Sequence, residues 1–364
     1  MPPSGVGTVA TTRGRQLIYD HRVTRRLLPT GRDLAVDLGT ANTLVYERGR
    51  GVVLDEPSAV ALEVGTGRLI AAGAKAREML GRTPGHVDVT RPLRDGVIND
   101  ADVAERMLRY FIAQVHPSRL LRPRMVVCVP SEVTGVERRA LEDAATRAGA
   151  RRVYVIEEAM AAALGADLPV EEATASMVVD IGGGTSDVAV ISLGGIVQAR
   201  SIRVGGDEID EAIVAFVKNE YALLLGERSS EDIKVQIGSA FPLREELSMR
   251  VRGRDLVSGL PKTVTVTSQE VRRAIDAPLL QICELVRATL DVCPPELAGD
   301  VLDHGIVLTG GGSLLRGVDA RLRHELGVPV RIAEEPLRAV ARGAGRCVEE
   351  FGTLQRVLVD SKRY

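Results

Sequence analysis

The period of the apolar positions changes repeatedly along the chain, and each change marks a predicted element. Residues 34–38 form a short apolar run, followed by the turn Gly39-Thr40-Ala41-Asn42 and a second run over 43–47. That order predicts strand, tight turn, strand. Further strands are predicted over 52–54 and 59–63, separated by Pro57. At 102–115 the spacing becomes helical, with Val103, Met107, Tyr110 and Phe111 on one side. A buried strand over 125–129 ends at Pro130, and a charged amphipathic helix over 134–148 ends at Gly149. A strand over 152–156 then leads into an Ala-rich helix over 157–164. Strand, helix, strand, helix in this order requires a sheet that is parallel in part.

The second half begins the same way. A strand over 177–181, the loop Gly182-Gly183-Gly184-Thr185 and a strand over 187–192 repeat the opening device. Helices are predicted over 208–225 and 230–237, a strand over 263–267, and a mostly helical stretch over 268–291 broken near Pro278. A strand over 305–308, a loop over 309–313 and helices over 315–326 and 337–351 close the chain. Asp37-Leu-Gly-Thr-Ala-Asn-Thr and Asp180-Ile-Gly-Gly-Gly-Thr-Ser each place an Asp at a strand end before a glycine turn. This echo predicts two similar α/β domains facing each other across a cleft.

Length agrees: 364 residues favour two domains at about 100–200 residues each. Forty-seven basic residues against 49 acidic ones give no cationic surplus, and there is no Trp and little Phe or Tyr. Both observations argue against a nucleic-acid partner, which needs phosphate-neutralising charge and stacking platforms. None of the four cysteines forms a C-x-x-C pair, so they are expected to be reduced, buried thiols. No apolar run reaches the roughly 18 residues of a membrane-spanning helix. Residues 1–32 differ from the rest, with Arg13, Arg15, Arg22, Arg25, Arg26 and Arg32 against only Asp20. They suit a flexible basic extension; an amphipathic anchor and a transit peptide are the other readings. Their apolar residues scatter around a helical wheel instead of forming one stripe.

The chemistry lies in the loops. A glycine turn at a strand end lets backbone N–H groups converge on an anion, and hydroxyls such as Thr40, Thr43, Thr185 and Ser186 add donors. Asp37 and Asp180 cannot touch phosphate without repulsion, but they can hold Mg²⁺ through water. One such loop would be an ordinary hairpin. Two matched loops and a third, Gly310-Gly311-Gly312-Ser313, carry the inference together; the third could take adenine or ribose against bare backbone. There is no G-x-x-x-x-G-K-[ST] motif, so this is not a P-loop. The pair Glu157-Glu158 opens the Ala-rich helix. A carboxylate there could orient a water for attack on a γ-phosphate, or simply complement the helix dipole.

At this point the residues match a family. The segments DLGTANTLVY, RPLRDGVI, MVVDIGGGTSDVAVISLGGI, SIRVGGDEID and GIVLTGGGSLLRGVD, among others over about 33–351, resemble the MreB family of the actin and sugar-kinase ATPase superfamily. The resemblance implies an actin-like ATPase fold of class α/β, with two duplicated α/β domains whose central mixed sheets flank a nucleotide cleft. It implies boundaries at 33–165 and 166–335, with 336–364 returning to the first domain. It implies ATP and Mg²⁺ as cofactors, weak ATPase activity coupled to polymerisation, and filaments of the chain with itself. Those filaments would lie in the cytoplasm on the inner membrane face, on anionic lipid, and direct the cell-wall synthesis machinery. By position, phosphate would contact Gly39–Thr43 (including Thr40, Ala41 and Asn42) and Gly182–Thr185. Glu158 and Thr185 would be catalytic, Glu231, Lys234 and Gly310–Ser313 would hold adenosine, and Leu120 and Leu121 would enter the membrane among Arg119, Arg122 and Arg124. The chain departs from the family pattern at Ala159, where Pro is usual, and at Ser186-Asp187, where Thr-Glu is usual; both swaps keep the chemical type.

Two rivals share this fold. A sugar kinase or phosphatase would need an acidic base and pocket-shaping inserts, and neither is apparent. A chaperone ATPase would need a substrate-binding domain after the core.

Overall fold

The computed structural model describes residues 32–116 and 121–360. Two sheets built on the same plan dominate it. In the first, Leu34–Leu38, Asn42–Glu47 and Gly51–Pro57 form an antiparallel meander. Arg124–Val129 and Arg152–Glu157 then add on in parallel, and Val359–Asp360 pairs at the far edge. In the second, Ser176–Ile181, Ser186–Ser192 and Gly195–Ile202 form the meander, while Ile306–Thr309 and Val330–Ile332 add on in parallel. The expected duplication and mixed sheets are present. Each parallel strand is reached through helices that cover the sheet faces, which is why the inner ones are mostly apolar and buried; the edge strand Val330–Ile332 leaves Arg331 and Ile332 exposed.

Local chemistry fixes the helix starts. Asp100 accepts from the N–H groups of Asp102 and Val103 and caps Ala101–Val115. Thr134 with Glu137 forms a capping box at Gly135–Ala148, and Thr267 with Glu270 does so at Ser268–Ala274.

Several elements differ from expectation for physical reasons. The long helix expected over 268–291 is broken at Ile275, not at Pro278; Pro278 lies in the first turn of Asp276–Asp291, where its missing N–H costs nothing. The helix expected from 315 begins only at Val318, because Gly311–Leu314 winds into a tighter 3₁₀ turn. The helix beginning at Gly206 stops at Tyr221, and Leu223–Leu224 turns into a strand beside Ser248–Asp255. Strands Gly195–Ile202 and Ser248–Asp255 and helix Pro295–His304 lay outside the expectations altogether.

Two small sheets sit at the outer ends. Val60–Glu63 pairs with Leu69–Ala72 and Val87–Thr90 on one side, and Ser248–Asp255 pairs with Pro261–Thr267 on the other.

The apolar core has one part under each sheet and a third part between them. That third part joins Ala35, Val126 and Ile156 of the first sheet to Val178, Ala189 and Ile191 of the second. Its centre is the crossing of helices Glu158–Gly165 and Ala339–Glu349, whose facing residues are nearly all Ala, Gly, Cys or Val. A Cβ on Gly165 would overlap the Ala339 carbonyl, and one on Gly343 would overlap the Ala161 carbonyl. The two backbones therefore touch, which only glycine allows. These helices are also the two places where the chain passes from one sheet to the other.

Candidate functional site

Each glycine turn is held from behind, which leaves its donors facing the gap between the sheets. In the first, Gly39 N–H donates to Asn42 O (3.1 Å), and Ser58 Oγ donates to Gly39 O at 2.6 Å. In the second, Gly182 N–H donates to Thr185 O (2.8 Å). The carbonyls of Gly182 and Gly183 accept from Gly206 N–H (3.0 Å) and Asp207 N–H (2.7 Å). The N–H groups of Thr40, Ala41, Gly183 and Gly184 form no hydrogen bond among the described residues. The loops meet across the cleft: a Cβ on Gly184 would lie 2.9 Å from Thr40 Oγ1 and from the Asp95 backbone. Uncommitted amides from two loops thus converge, which is the geometry of an anion nest.

One cavity of about 390 Å³ collects most of the expected residues. Asp37, Gly39, Thr40, Ala41, Asn42, Glu158, Asp180, Gly182, Gly183, Gly184, Thr185, Glu231, Lys234, Gly310, Gly311 and Gly312 all line it. Thr43 and Ser313 do not. Thr43 is fully buried behind its loop and its hydroxyl pairs with Ser58 Oγ at 2.9 Å. Ser313 is also fully buried, donating to Gly310 O at 2.6 Å. Their hydroxyls support the loops and are not donors to the cavity. The alternation of side chains along a strand explains Thr43: it lies one residue past the turn and faces inward.

The cavity floor is acidic. Burial, then the Asp180 and Asp55 charges, pushes the Asp37 carboxyl up to about 7. Burial raises Asp180 to about 6. Glu158 is held well above the usual carboxylate range, first by burial and then by Asp187, Asp37 and Asp180. Asp187 is raised to about 7 by burial; Ser131 N–H, donating to its Oδ1 at 2.9 Å, offsets part of that. Asp180 Oδ1 is buried with no hydrogen-bond partner. The basic residues lining the cavity, Arg77, Arg91 and Lys234, belong to its outer end and pair with other carboxylates there. Crowded carboxylates with one orphaned oxygen form a floor suited to a cation.

Lys234 Nζ donates to Gly206 O (2.9 Å) and Asp210 Oδ2 (2.7 Å), while Glu231 pairs with Arg77. Apolar Leu315, Leu337, Val340 and Val235 line the same cavity.

The expected membrane segment is only partly described. Arg119 and Leu120 lie outside the described residues, as do residues 1–31. Leu121 is half-buried, its carbonyl accepting from His116 Nε2 at 2.5 Å, and Arg122 is exposed. Arg124 is corrected: its guanidinium grips the buried Asp33 and lies 4.2 Å over the Phe351 ring, so it is not free for headgroups.

Sequence reading missed Ser58, Arg77, Arg91 and Ser131. Ser58 had a local signal, following Pro57 at a strand end, whereas the arginines act through partners more than a hundred residues away.

Duplicated mixed sheets closing on three glycine loops, with carboxylates beneath, define the actin-like class of phosphate-binding folds. Comparison is consistent and more specific. The family model described as MreB/Mbl protein matches residues 31–356. The cell shape-determining protein MreB of Escherichia coli (strain K12) is 53% identical over 323 residues, covering 87% of this chain and 93% of that protein. The crystal structure of MreB5 of Spiroplasma citri bound to AMPPNP superposes with a TM-score of 0.85 at 39% identity, covering 90% of this chain and 98% of that one. The MamK double helical filament gives a TM-score of 0.76 at 26% identity, covering 87% and 99%. The chain belongs to the MreB/Mbl family of cell shape-determining proteins.

Proposed function

We propose that the chain binds Mg·ATP between its two halves, hydrolyses it slowly and assembles with itself into membrane-apposed filaments that direct cell shape. The observation that carries this reading is the convergence of uncommitted amides from two matched loops above an acidic floor. Polyphosphate fits the amides, and the carboxylates fit the divalent ion that accompanies it. Asp37 and Asp180 would hold Mg²⁺ through its waters; no described group of three or more acidic, His or Cys side chains is close enough to ligate a metal directly. The ion would neutralise charge on the transferred phosphoryl group. Thr40, Ala41, Gly183 and Gly184 orient the phosphates. Glu158 accepts a hydrogen bond from the attacking water, and Thr185, lining the same cavity, fixes that water's position. Glu231, Lys234 and Gly310–Gly312 take the nucleoside.

MreB5 bound to AMPPNP supports the nucleotide, and the MamK double helical filament supports self-assembly. Head-to-tail stacking of one chain on the next gives an open filament because the contact does not close on itself. Membrane contact falls to Leu120 and Leu121, with exposed Arg122 adding about 1 kcal/mol against anionic lipid. Wall-synthesis proteins are the expected partners on the filament. The functional units are 33–165 and 166–335, with 336–364 returning to the first. Family membership takes precedence over the sugar-kinase and chaperone readings.

Co-pelleting with anionic vesicles in Mg·ATP and in Mg·ADP, with electron microscopy of the pellets, tests this. Filaments on lipid in ATP are expected; a nucleotide-bound monomer in both conditions would refute assembly. In the same assay Glu158→Ala should keep ATP bound and slow phosphate release by roughly a hundredfold or more, the range for losing one positioned acid–base group.

A further inference from the structure

The outer end of the cleft is closed by charge. Arg77, in the last turn of the helix Ala74–Met79, pairs with Glu231 on Glu227–Ile237. Arg91 forks: Nη1 lies 3.2 Å from Asp207 Oδ1 and Nη2 lies 2.7 Å from Glu227 Oε1. Arg94 adds a looser pair with Glu211 at 3.9 Å, and both partners are so exposed that it contributes little. Each of these pairs joins the helix Ala74–Met79 or the segment just after strand Val87–Thr90, both beside the small end sheet of the first half, to a helix of the second. Arg77, Arg91, Asp207 and Glu231 also line the cavity, so a ligand inside lies behind them.

The pairs are tied to the phosphate loops. Asp207 donates its N–H to Gly183 O at 2.7 Å. On the other side, Gly96, five residues past Arg91, donates its N–H to Thr40 Oγ1 at 2.9 Å. The segment 91–96 therefore touches both loops, once through the Arg91–Asp207 pair and once directly.

We infer that Arg77 and Arg91, with Glu231, Asp207 and Glu227, form an ionic clasp that sets the rate at which nucleotide leaves the cleft. Glu231 is shared: its carboxylate has room for the Arg77 guanidinium and for a nucleoside hydroxyl. This rests on the nucleotide reading above. The pairs are half-exposed, so they are weak enough to break on each exchange and are screened by salt. Arg91 makes two contacts and Arg77 one, so Arg91 dominates.

The test is the off-rate of a fluorescent N-methylanthraniloyl-ATP chased with excess ATP, at low and high salt. Wild type should release the probe faster as salt rises. At low salt Arg91→Ala should release it roughly three- to tenfold faster, the effect of losing one or two partly exposed ion pairs, and its salt dependence should flatten. Arg91→Glu, which repels Asp207 and Glu227, should be faster still, and Arg91→Lys should restore most of the wild-type rate. A merely structural role would not give that order or remove the salt dependence. If every variant binds the probe and releases it within about twofold of wild type, the clasp is wrong. If wild type itself fails to bind the probe, the nucleotide reading falls first and the clasp with it.

Discussion

The two ends of the cleft are held by opposite means. At the inner end, helices Glu158–Gly165 and Ala339–Glu349 cross with backbone against backbone, and the contact is dry, apolar and fully buried. At the outer end, arginines meet carboxylates in pairs that solvent partly reaches. A buried crossing of small residues has one good arrangement, and any added atom forces a shift. A half-exposed ion pair can part and re-form at little cost. The difference assigns permanence to one end and reversibility to the other.

The largest effect should follow from breaking the permanent end. Gly343→Val places carbon where the Ala161 carbonyl stands, and should lower the folding free energy by about 3 kcal/mol or more, or leave no soluble protein. Thermal denaturation measures it; a melting temperature within a few degrees of wild type would show that the helices can separate freely.

The acidic floor, lying between the two ends, should respond to pH. Burial raises Asp37, Asp180 and Asp187 from the ordinary carboxylate range to about 7, 6 and 7. A group whose folded pKa is raised stabilises the fold below its unfolded pKa, and that contribution is lost as pH rises through the folded value. The nucleotide-free protein should therefore lose stability between about pH 4 and pH 7, and added Mg·ATP should offset the loss above that window. Asp180→Asn should flatten the profile. A melting temperature that rises with pH across this window would contradict the assigned burial of charge.

The smallest effect should come from the loop supports. Ser58→Ala removes the hydroxyl that joins Gly39 O to Thr43 Oγ1, and should cost about 1 kcal/mol of stability and weaken nucleotide binding modestly. An unchanged melting temperature and affinity would mean that the first loop holds its shape without it.

How legible this was follows from the range of each signal. The glycine loops and the strands before them were readable because turn chemistry and apolar runs are local. The repeat of Asp37 by Asp180 exposed the two-sheet plan because duplication preserves order. Strand Ser248–Asp255 also carries a local signal, the alternation of Met249 and Val251 with arginines. Helix Pro295–His304 began with the Pro that suits a first turn. By contrast, nothing near Arg77 announces Glu231, 154 positions away, because such a pair exists only once the halves have closed. Thr43 and Ser313 show the complementary failure. Their residue type suited phosphate, but the direction of a side chain beside a turn depends on strand phase, which the loop motif does not encode.

The glycine crossing has a mechanical consequence. Both covalent links between the halves pass through the same point of contact. Sliding along either helix would drive Gly165 or Gly343 off the opposing carbonyl, so the remaining easy movement is rotation about that point. The relative placement of the halves then reduces to a rotation, and the angle that opens or shuts the outer end is the one that ligands there can sense. Anything that grips both halves, whether a nucleotide across the glycine loops or a neighbouring subunit spanning the outer end, reads and writes the same variable. Two such ligands need no wire between their sites to influence each other. Each only has to prefer an angle.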